Sequence, residues 1–507
     1  MMEIRSPLDG TVLATLPEHG AEEVGAAVER VRAAQEEWRG TPPRERARAM
    51  SRLAAVLARR GDEIAHRVRA ETGKPLPEAL TEVVVAAELL RFYGRKGARH
   101  LAPRTVWDAL LFGKSARVER EPYGVVGGIT PWNYPFILAM DVVTPALMAG
   151  NGVVLKPSEF TPWTALLIPE LVGEAGIPPH LVEVVTGRGD TGAALVGGGI
   201  DRLVFTGSTA TGRRVMAAAA EHLVPVTLEL GGKDPAVVLA DADLDRAAAG
   251  VAYGAFFNAG QTCISVERAY VERTALDAFL TRVVNIAESL RPGTDGSADI
   301  GPMVTEQQLE IVKRHVEDAR SRGARILTGG TPAADNPRIF LPTVLADVDA
   351  SMLVMTEESF GPLLPVMAVE DADDAVRRAN ALGYGLFASV WTGDANRGRR
   401  VARRLRAGGV SINDVLTHYA VGGLPMGGRG GSGFGRRRGL EGLDELSRPR
   451  TILRDRVGLK RDPWWFPYSA RSLSLARAML QWTGRRGPGR ILGALRVLSP
   501  GRRGGGK

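Results

Sequence analysis

The sequence predicts an α/β protein of two lobes, each built on a parallel sheet, with one small added element. Three observations lead there. Short apolar runs alternate with helical stretches twice along the chain, the pattern of βαβ units. A helical segment over residues 21–101 precedes the first series. A short charged run, Arg117–Pro122, interrupts the pattern as an edge ribbon would.

The elements follow in order. Val24, Ala27, Val28 and Val31 recur at helical spacing, as do Leu53, Val56 and Leu57. Gly124–Ile129, Gly152–Leu155, Val182–Val185 and Arg202–Phe205 read as buried strands. Thr161–Ala175, Thr191–Gly197 and Thr209–Glu221 read as the helices between them. In the second series Ala236–Leu239, Ala269–Val271 and Leu363–Val369 are strands. Leu244–Asn258, Ala275–Ser289, Glu306–Arg322 and Ala372–Ala381 are helices, and a Gly-rich stretch, Gly422–Gly435, closes the body.

Composition narrows the function classes. The chain has 507 residues with 44% hydrophobic and 24% charged content, ordinary for a globular protein. Its one cysteine, Cys263, excludes an internal disulfide and a Cys-cluster metal site, and no metal is expected. The net charge of +8 is local: residues 459–507 carry eleven Lys and Arg against Asp462 alone. The body is therefore nearly neutral, which argues against a nucleic-acid partner. Residues 1–13 have no apolar core of a signal peptide, so a cytoplasmic protein is expected. The 19 uncharged residues Pro122–Met140 contain Asn133, Pro131 and Pro135, and fit a strand, a loop and a helix start better than a membrane span.

Six segments carry chemistry. Gly260-Gln261-Thr262-Cys263 sets a thiol after a tight turn; a thiol reacts as thiolate, so a helix start or a base must enrich that form. A lone cysteine is otherwise a small buried hydrophobe. Thr206-Gly207-Ser208 joins a strand to a helix N-terminus, where free N–H groups suit an anion, although an ordinary βα turn has the same look. Lys156-Pro157-Ser158-Glu159 follows a parallel strand, where ligands bind; a solvated loop is the plainer reading. Glu229, before Gly231 and Gly232, is a candidate general base or a member of a surface ion pair. Asn133, in Thr130-Pro131-Trp132-Asn133, offers an amide to an oxyanion or caps the helix near Pro135. Glu358-Ser359-Phe360-Gly361-Pro362 offers a carboxylate to a ribose and an aromatic wall, or Phe360 is core.

Together, over residues 3–453, these segments and a final Ser-Gly-Phe-Gly-Arg run resemble the aldehyde dehydrogenase superfamily, in the family's order. The resemblance implies a Rossmann-like NAD(P)-binding domain (1–116 and 123–231), an α/β catalytic domain (232–435) and a β oligomerisation ribbon (117–122 and 447–458). It implies that Cys263 attacks an aldehyde, that Asn133 and the Cys263 N–H hold the oxyanion, and that Glu229 activates the water that hydrolyses the thioester. It places Lys156 and Glu159 at the adenine-side ribose and Gly207 and Ser208 at the pyrophosphate. Glu358 falls at the nicotinamide ribose, Phe360 beside the nicotinamide, and Trp132 near the cofactor. Glu159 fits NAD and leaves NADP open. A homodimer or homotetramer is implied, with Arg117–Pro122 and Arg450–Arg454 as interface ribbons.

Two positions depart from many members. Val142 stands where they have a lysine nine residues after the Pro-Trp-Asn asparagine, and Arg437 where they have a glutamate after the final Gly-Arg. Both departures, with Asn413–His418 and Phe466-Pro467-Tyr468, are similar to the fatty and coniferyl aldehyde branch, so an apolar aldehyde, medium- or long-chain or aromatic, is expected. Succinate-semialdehyde oxidation is the alternative substrate reading. A non-catalytic scaffold that kept the fold is the other alternative, yet Cys263, Glu229 and Asn133 all remain. In the tail, residues 459–507, Leu473, Ala476, Met479 and Leu480 share one helical face near Trp482. Ile491, Leu492, Leu495 and Leu498 share another, with Arg490 and Arg496 as cations. Such segments suit peripheral attachment to an anionic inner membrane face, or a basic extension ending in Gly504–Lys507.

Overall fold

The computed structural model describes residues 1–107, 113–462 and 464–483. The expectations for Arg490–Leu498 and 504–507, and for the Trp482 side chain, lie outside what is described. The described chain forms two units, 1–102 with 119–450, and 103–118 with the residues after 450.

In the first unit a hairpin, β1 (Met2–Arg5) and β2 (Val12–Leu16), leads to α1 (Ala21–Gly40), α2 (Pro43–Arg59), α3 (Gly61–Thr72) and α4 (Leu76–His100). After β3 (Arg104–Val106) and β4 (Lys114–Pro122) comes the first alternation. It runs β5 (Val125–Thr130), α5 (Ile137–Ala149), β6 (Gly152–Pro157), α6 (Ile168–Glu174), β7 (Val182–Val184), α7 (Gly189–Gly197), β8 (Arg202–Thr206), α8 (Thr209–Glu221) and β9 (Val226–Glu229). The second runs β10 (Pro235–Val238), α9 (Leu244–Phe256), β11 (Arg268–Glu272), α10 (Leu276–Ser289), α11 (Glu306–Ser321), β12 (Arg325–Thr328), β13 (Thr343–Ala346), α12 (Leu353–Thr356), β14 (Leu363–Val369), α13 (Ala372–Ala379), β15 (Phe387–Trp391), α14 (Ala395–Ala402) and β16 (Gly409–Ile412). α15 (Thr417–Ala420), β17 (Gly433–Phe434), α16 (Glu441–Glu445), β18 (Ser447–Asp455) and, in the second unit, α17 (Ala470–Thr483) follow in chain order.

The first alternation forms a six-stranded sheet of order β17-β9-β8-β5-β6-β7, parallel except for β17. The second forms a seven-stranded sheet of order β12-β13-β14-β11-β10-β15-β16, parallel except for β12. Parallel strands covered on both faces read as continuous apolar runs, which is why β5, β6 and β8 stood out. The apolar run 122–140 is the end of β4, β5 and the start of α5, and all thirteen residues of α5 are buried. Among the described residues no helix is long and apolar enough to cross a membrane.

Several predicted helices are shorter than expected, two of them for a reason the structure shows. The one expected from Thr161 begins as a 3-10 turn at Ala165, because the buried Glu71 carboxylate takes the N–H groups of Trp163 and Thr164. The one expected to reach Asn258 stops at Phe256, and Asn258 and Ala259 adopt left-handed φ of 56° and 52°.

In the second unit β3 pairs antiparallel with β4, in a three-stranded sheet of order β18-β4-β3. Lys114 pairs with Asp462 at 2.8 Å. α17 has no acidic residue and leaves Leu473 and Leu480 exposed.

Candidate active site

The register of the six-stranded sheet brings four of the six segments to one edge. Thr130 lies opposite Pro157, Ile129 opposite Phe205, and Thr206 opposite Glu229. Thr130–Asn133, Lys156–Glu159, Thr206–Ser208 and Glu229–Gly232 therefore leave the carboxyl ends of neighbouring strands. The chain runs outward from β5 through β6 to β7, then returns to the other side of β5 as β8. That reversal is a topological switch point, where open α/β sheets bind ligands.

The cysteine loop is held from three sides. Both Glu78 oxygens accept the Asn258 N–H, at 3.1 and 3.2 Å, and so fix the left-handed turn after α9. Non-glycine residues adopt such φ at a cost and persist there only when neighbours hold them. Asn258 Nδ2 donates to the carbonyls of Asn133, at 3.2 Å, and Gln261, at 3.1 Å. Gly260, at φ 72°, is required: a Cβ there would lie 2.1 Å from the Gly361 carbonyl oxygen.

Asn133 is buried, and its Nδ2 donates to the Gln261 carbonyl at 2.9 Å. An amide nitrogen has two N–H bonds, so one stays available. Asn133 does not cap α5: Glu82 accepts the N–H groups of Phe136 and Ile137, each at 3.1 Å. Lys74, wholly buried, pairs with Glu82 at 2.7 Å and donates to the Asn133 carbonyl at 2.8 Å.

Cys263 Sγ lies 3.9 Å from Glu229 Oε1. Glu229 is no surface residue: it is 1% exposed, and its Oε2 forms an ion pair with the buried Arg437. Burial pushes the Glu229 carboxyl up, with Arg437 pulling the other way. Burial also pushes the Cys263 thiol well up, Glu229 adds to this, and Arg437 opposes it.

Lys156 is buried, not a solvated loop residue, and burial lowers its amine's affinity for a proton; Glu159 Oε2 is 3.5 Å away. Ser208 caps α8 by accepting the Thr211 N–H at 3.2 Å. Gly207 has no room for a side chain, since a Cβ would meet the Phe205 ring at 2.7 Å. Glu358 Oε1 accepts the Gly232 N–H at 3.0 Å, and burial, then Glu267, push its carboxyl up to about 8. Phe360, half-buried at φ 47°, is held by Glu267, which accepts the N–H groups of Ser359 (2.8 Å) and Phe360 (2.9 Å). Its ring sits edge-on to Trp132, with centroids 5.3 Å apart. A buried amine and a helix N-terminus for an anionic pyrophosphate, with carboxylates for ribose hydroxyls, fit a dinucleotide.

Cys263 opens into a cavity of about 230 Å³. Tyr134, Ile137, Leu138, Tyr253, Phe257, Ile264, Val415 and Leu416 line it, and its charged lining residues are Glu78 and Glu82. Sequence reasoning missed Lys74, Glu78, Glu82 and Asn258 as supports of the site. It noticed Arg437 only as a departure, and that departure was the available signal.

Comparison with known proteins agrees. The model of the "Aldehyde dehydrogenase family" matches residues 1–452. A 4,4'-diapolycopene aldehyde oxidase of a Methylomonas species is 43% identical, over 92% of this chain and 88% of its own. A Mycolicibacterium smegmatis protein provisionally named succinate-semialdehyde dehydrogenase (NADP+) is 39% identical, over 91% and 90%. The crystal structure of an NAD-dependent aldehyde dehydrogenase from Sinorhizobium meliloti superposes with a TM-score of 0.87, at 38% identity, covering 92% of this chain and 93% of that one. The fold and the sequence thus define a dinucleotide-using oxidoreductase of aldehydes. The chain belongs to the aldehyde dehydrogenase family, and its cofactor is NAD or NADP.

Proposed function

We propose that this enzyme oxidises an apolar aldehyde, medium- or long-chain or aromatic, to its carboxylic acid through an adduct on Cys263. The observation that carries the substrate class is the cavity lining. Among the described residues it is aliphatic and aromatic apart from Thr81, Thr262 and Thr417, and contains no Lys, Arg or His, while Glu78 and Glu82 face the space. The far carboxylate of a semialdehyde would be desolvated there beside Glu78 and Glu82, and the cation behind the wall, Lys74, is already paired with Glu82, so its burial is unfavourable. A relative named for 4,4'-diapolycopene aldehyde supports this reading, and relatives named for succinate semialdehyde support the alternative.

The steps assigned to this chain follow from its groups. The Cys263 thiol first gives up its proton to solvent; the thiolate sulfur then adds to the aldehyde carbon, and the carbonyl electron pair moves to oxygen as an alkoxide. The free N–H of the Asn133 amide and the Cys263 backbone N–H stabilise that charge. A dinucleotide, when bound, would accept the hydride that leaves the adduct carbon as the alkoxide closes to the carbonyl of a thioester. Glu229 then takes a proton from the water that attacks the thioester, the C–S bond breaks, and the acid leaves. Lys156 and Glu159 hold the adenine-side ribose, Gly207 and Ser208 the pyrophosphate, and Glu358 the other ribose. Phe360 and Trp132 wall the nicotinamide end. The test is a series of aliphatic and aromatic aldehydes beside succinic semialdehyde, read as dinucleotide reduction with NAD and with NADP. The apolar series is expected to give the higher kcat/KM; a preference for succinic semialdehyde would overturn the substrate class.

Two features support partners. β18 is an edge strand whose residues after Ser447 are all exposed, which favours pairing with a second copy in a homodimer or homotetramer. α17, with Arg471 and Arg477 beside exposed Leu473 and Leu480, favours peripheral attachment to an anionic membrane from the cytoplasmic side. Flotation with anionic vesicles, with and without residues 459–507, tests the attachment: equal flotation would remove it.

A further inference from the structure

The arginine that replaces the family's glutamate sits against the proposed base. Arg437 is 3% exposed. Its backbone exchanges two hydrogen bonds with Met426, both 2.7 Å. Its Nη1 donates to Thr206 Oγ1 at 2.6 Å, and its Nη2 forms the ion pair with Glu229 Oε2. Behind it lies Asp141, 3.7 Å from Nη2. Asp141 is itself held by Arg438, at 2.9 Å, and by the Tyr419 hydroxyl. Arg438 lies over the Tyr419 ring, 3.7 Å from its centroid. The Glu229 carboxylate therefore bridges a guanidinium on one oxygen and the Cys263 thiol on the other.

Desolvating a guanidinium costs several kcal/mol, so a buried arginine is not explained by packing alone. The charges around it show what it offsets. Glu229 touches Arg437 and Cys263, and the charges of Asp141 and Arg438 act on it besides. Burial, then Glu229 at 3.9 Å, with smaller contributions from the Asp234 and Glu358 carboxyl groups, disfavour the Cys263 thiolate, and Arg437 opposes them. Loss of the thiol proton would put a second negative charge beside the buried Glu229, and Arg437 is the cation placed to balance it. Arg437 itself keeps its charge because the Glu229 and Asp141 carboxylates outweigh the burial that opposes it.

We propose that Arg437 is a positioning residue for the oxidation: it grips the far oxygen of Glu229 so that the near oxygen faces Cys263, and its charge offsets the one gained when the thiol ionises. This rests on the reading of Cys263 as nucleophile and Glu229 as base.

The test uses full-length Arg437→Met and Arg437→Lys enzymes. Cys263 is the only cysteine, so iodoacetamide labelling followed by mass reports its ionisation directly. In Arg437→Met the midpoint of labelling against pH is expected to rise by about one unit or more, as for loss of a nearby opposite charge. Steady-state kcat is expected to fall more than the first-turnover burst, because the released base serves thioester hydrolysis. Arg437→Lys is expected to restore the labelling midpoint and only part of kcat. If Arg437→Met does not fold, Thr206→Val loosens the guanidinium without removing charge, and is expected to lower kcat with KM and the labelling midpoint near wild type. An unmoved labelling midpoint in folded Arg437→Met, or wild-type kcat in Thr206→Val, overturns the proposal. Cys263→Ser and Glu229→Gln separate the two levels: oxidation surviving in Cys263→Ser overturns the underlying mechanism, whereas an inactive Cys263→Ser beside a wild-type-like Arg437→Met overturns this proposal alone.

Discussion

Replacing Asn133 by alanine separates catalysis from architecture, because the structure divides the residue's bonds between backbone and side chain. Lys74 Nζ and Asn258 Nδ2 both donate to the Asn133 backbone carbonyl, which alanine keeps. The side chain contributes one bond within the loop, Nδ2 to the Gln261 carbonyl, and that carbonyl retains Asn258 Nδ2 at 3.1 Å. The stability loss is therefore that of one ordinary hydrogen bond, about 0.5–1.5 kcal/mol. The lost oxyanion donor is a different quantity, about 2.7–4 kcal/mol of barrier, or about 10²–10³ in kcat. The assay pairs denaturant unfolding and dinucleotide titration with single-turnover oxidation. Expected are near-normal folding, unchanged dinucleotide affinity and the large fall in the chemical step. Turnover within about tenfold of wild type is too small for a missing oxyanion donor and would refute the assignment.

Two further outcomes follow from buried charge. Lys74→Met strands Glu82, the acceptor for the first N–H groups of α5, and is expected to lower unfolding free energy by about 3–5 kcal/mol, measured by guanidinium titration. The Glu358 carboxyl, pushed up to about 8, is neutral below that pH and ionised above it. Dinucleotide binding is therefore expected to tighten between pH 7 and 9, up to about tenfold for a hydrogen bond gained to a charged acceptor, while Glu358→Gln shows no such trend by fluorescence titration.

The alternation of strands and helices was legible because buried parallel strands are near-continuous apolar runs. The hairpin β1–β2 mixes charges into its alternation, and β9, β13, β15 and β16 each carry a hydroxyl residue (Thr227, Thr343, Ser389, Ser411) in a run of four or five, so none rose above the background. The chemistry-bearing segments were legible because each is contiguous. Their supports were not. Glu78 grips Asn258 across 180 residues, and Lys74 reaches Asn133 across 59. Spacing rules speak only of neighbours within a turn or two. Asn133 and Glu229 each had a plainer reading, as a helix cap and a surface ion pair. Glu82 at the start of α5 and the burial of Glu229 remove both. Arg437 shows the opposite failing: a departure visible in the sequence reads as an absence until the fold sets it beside Glu229.

Glu78 has two duties at once. One side chain forms part of the chamber that receives the aldehyde and clamps the turn that aims the sulfur. Attempts to retune substrate preference there will disturb reactivity in the same stroke, so redesign of this enzyme should start from the aliphatic walls at Leu138 and Val415 and leave that carboxylate untouched.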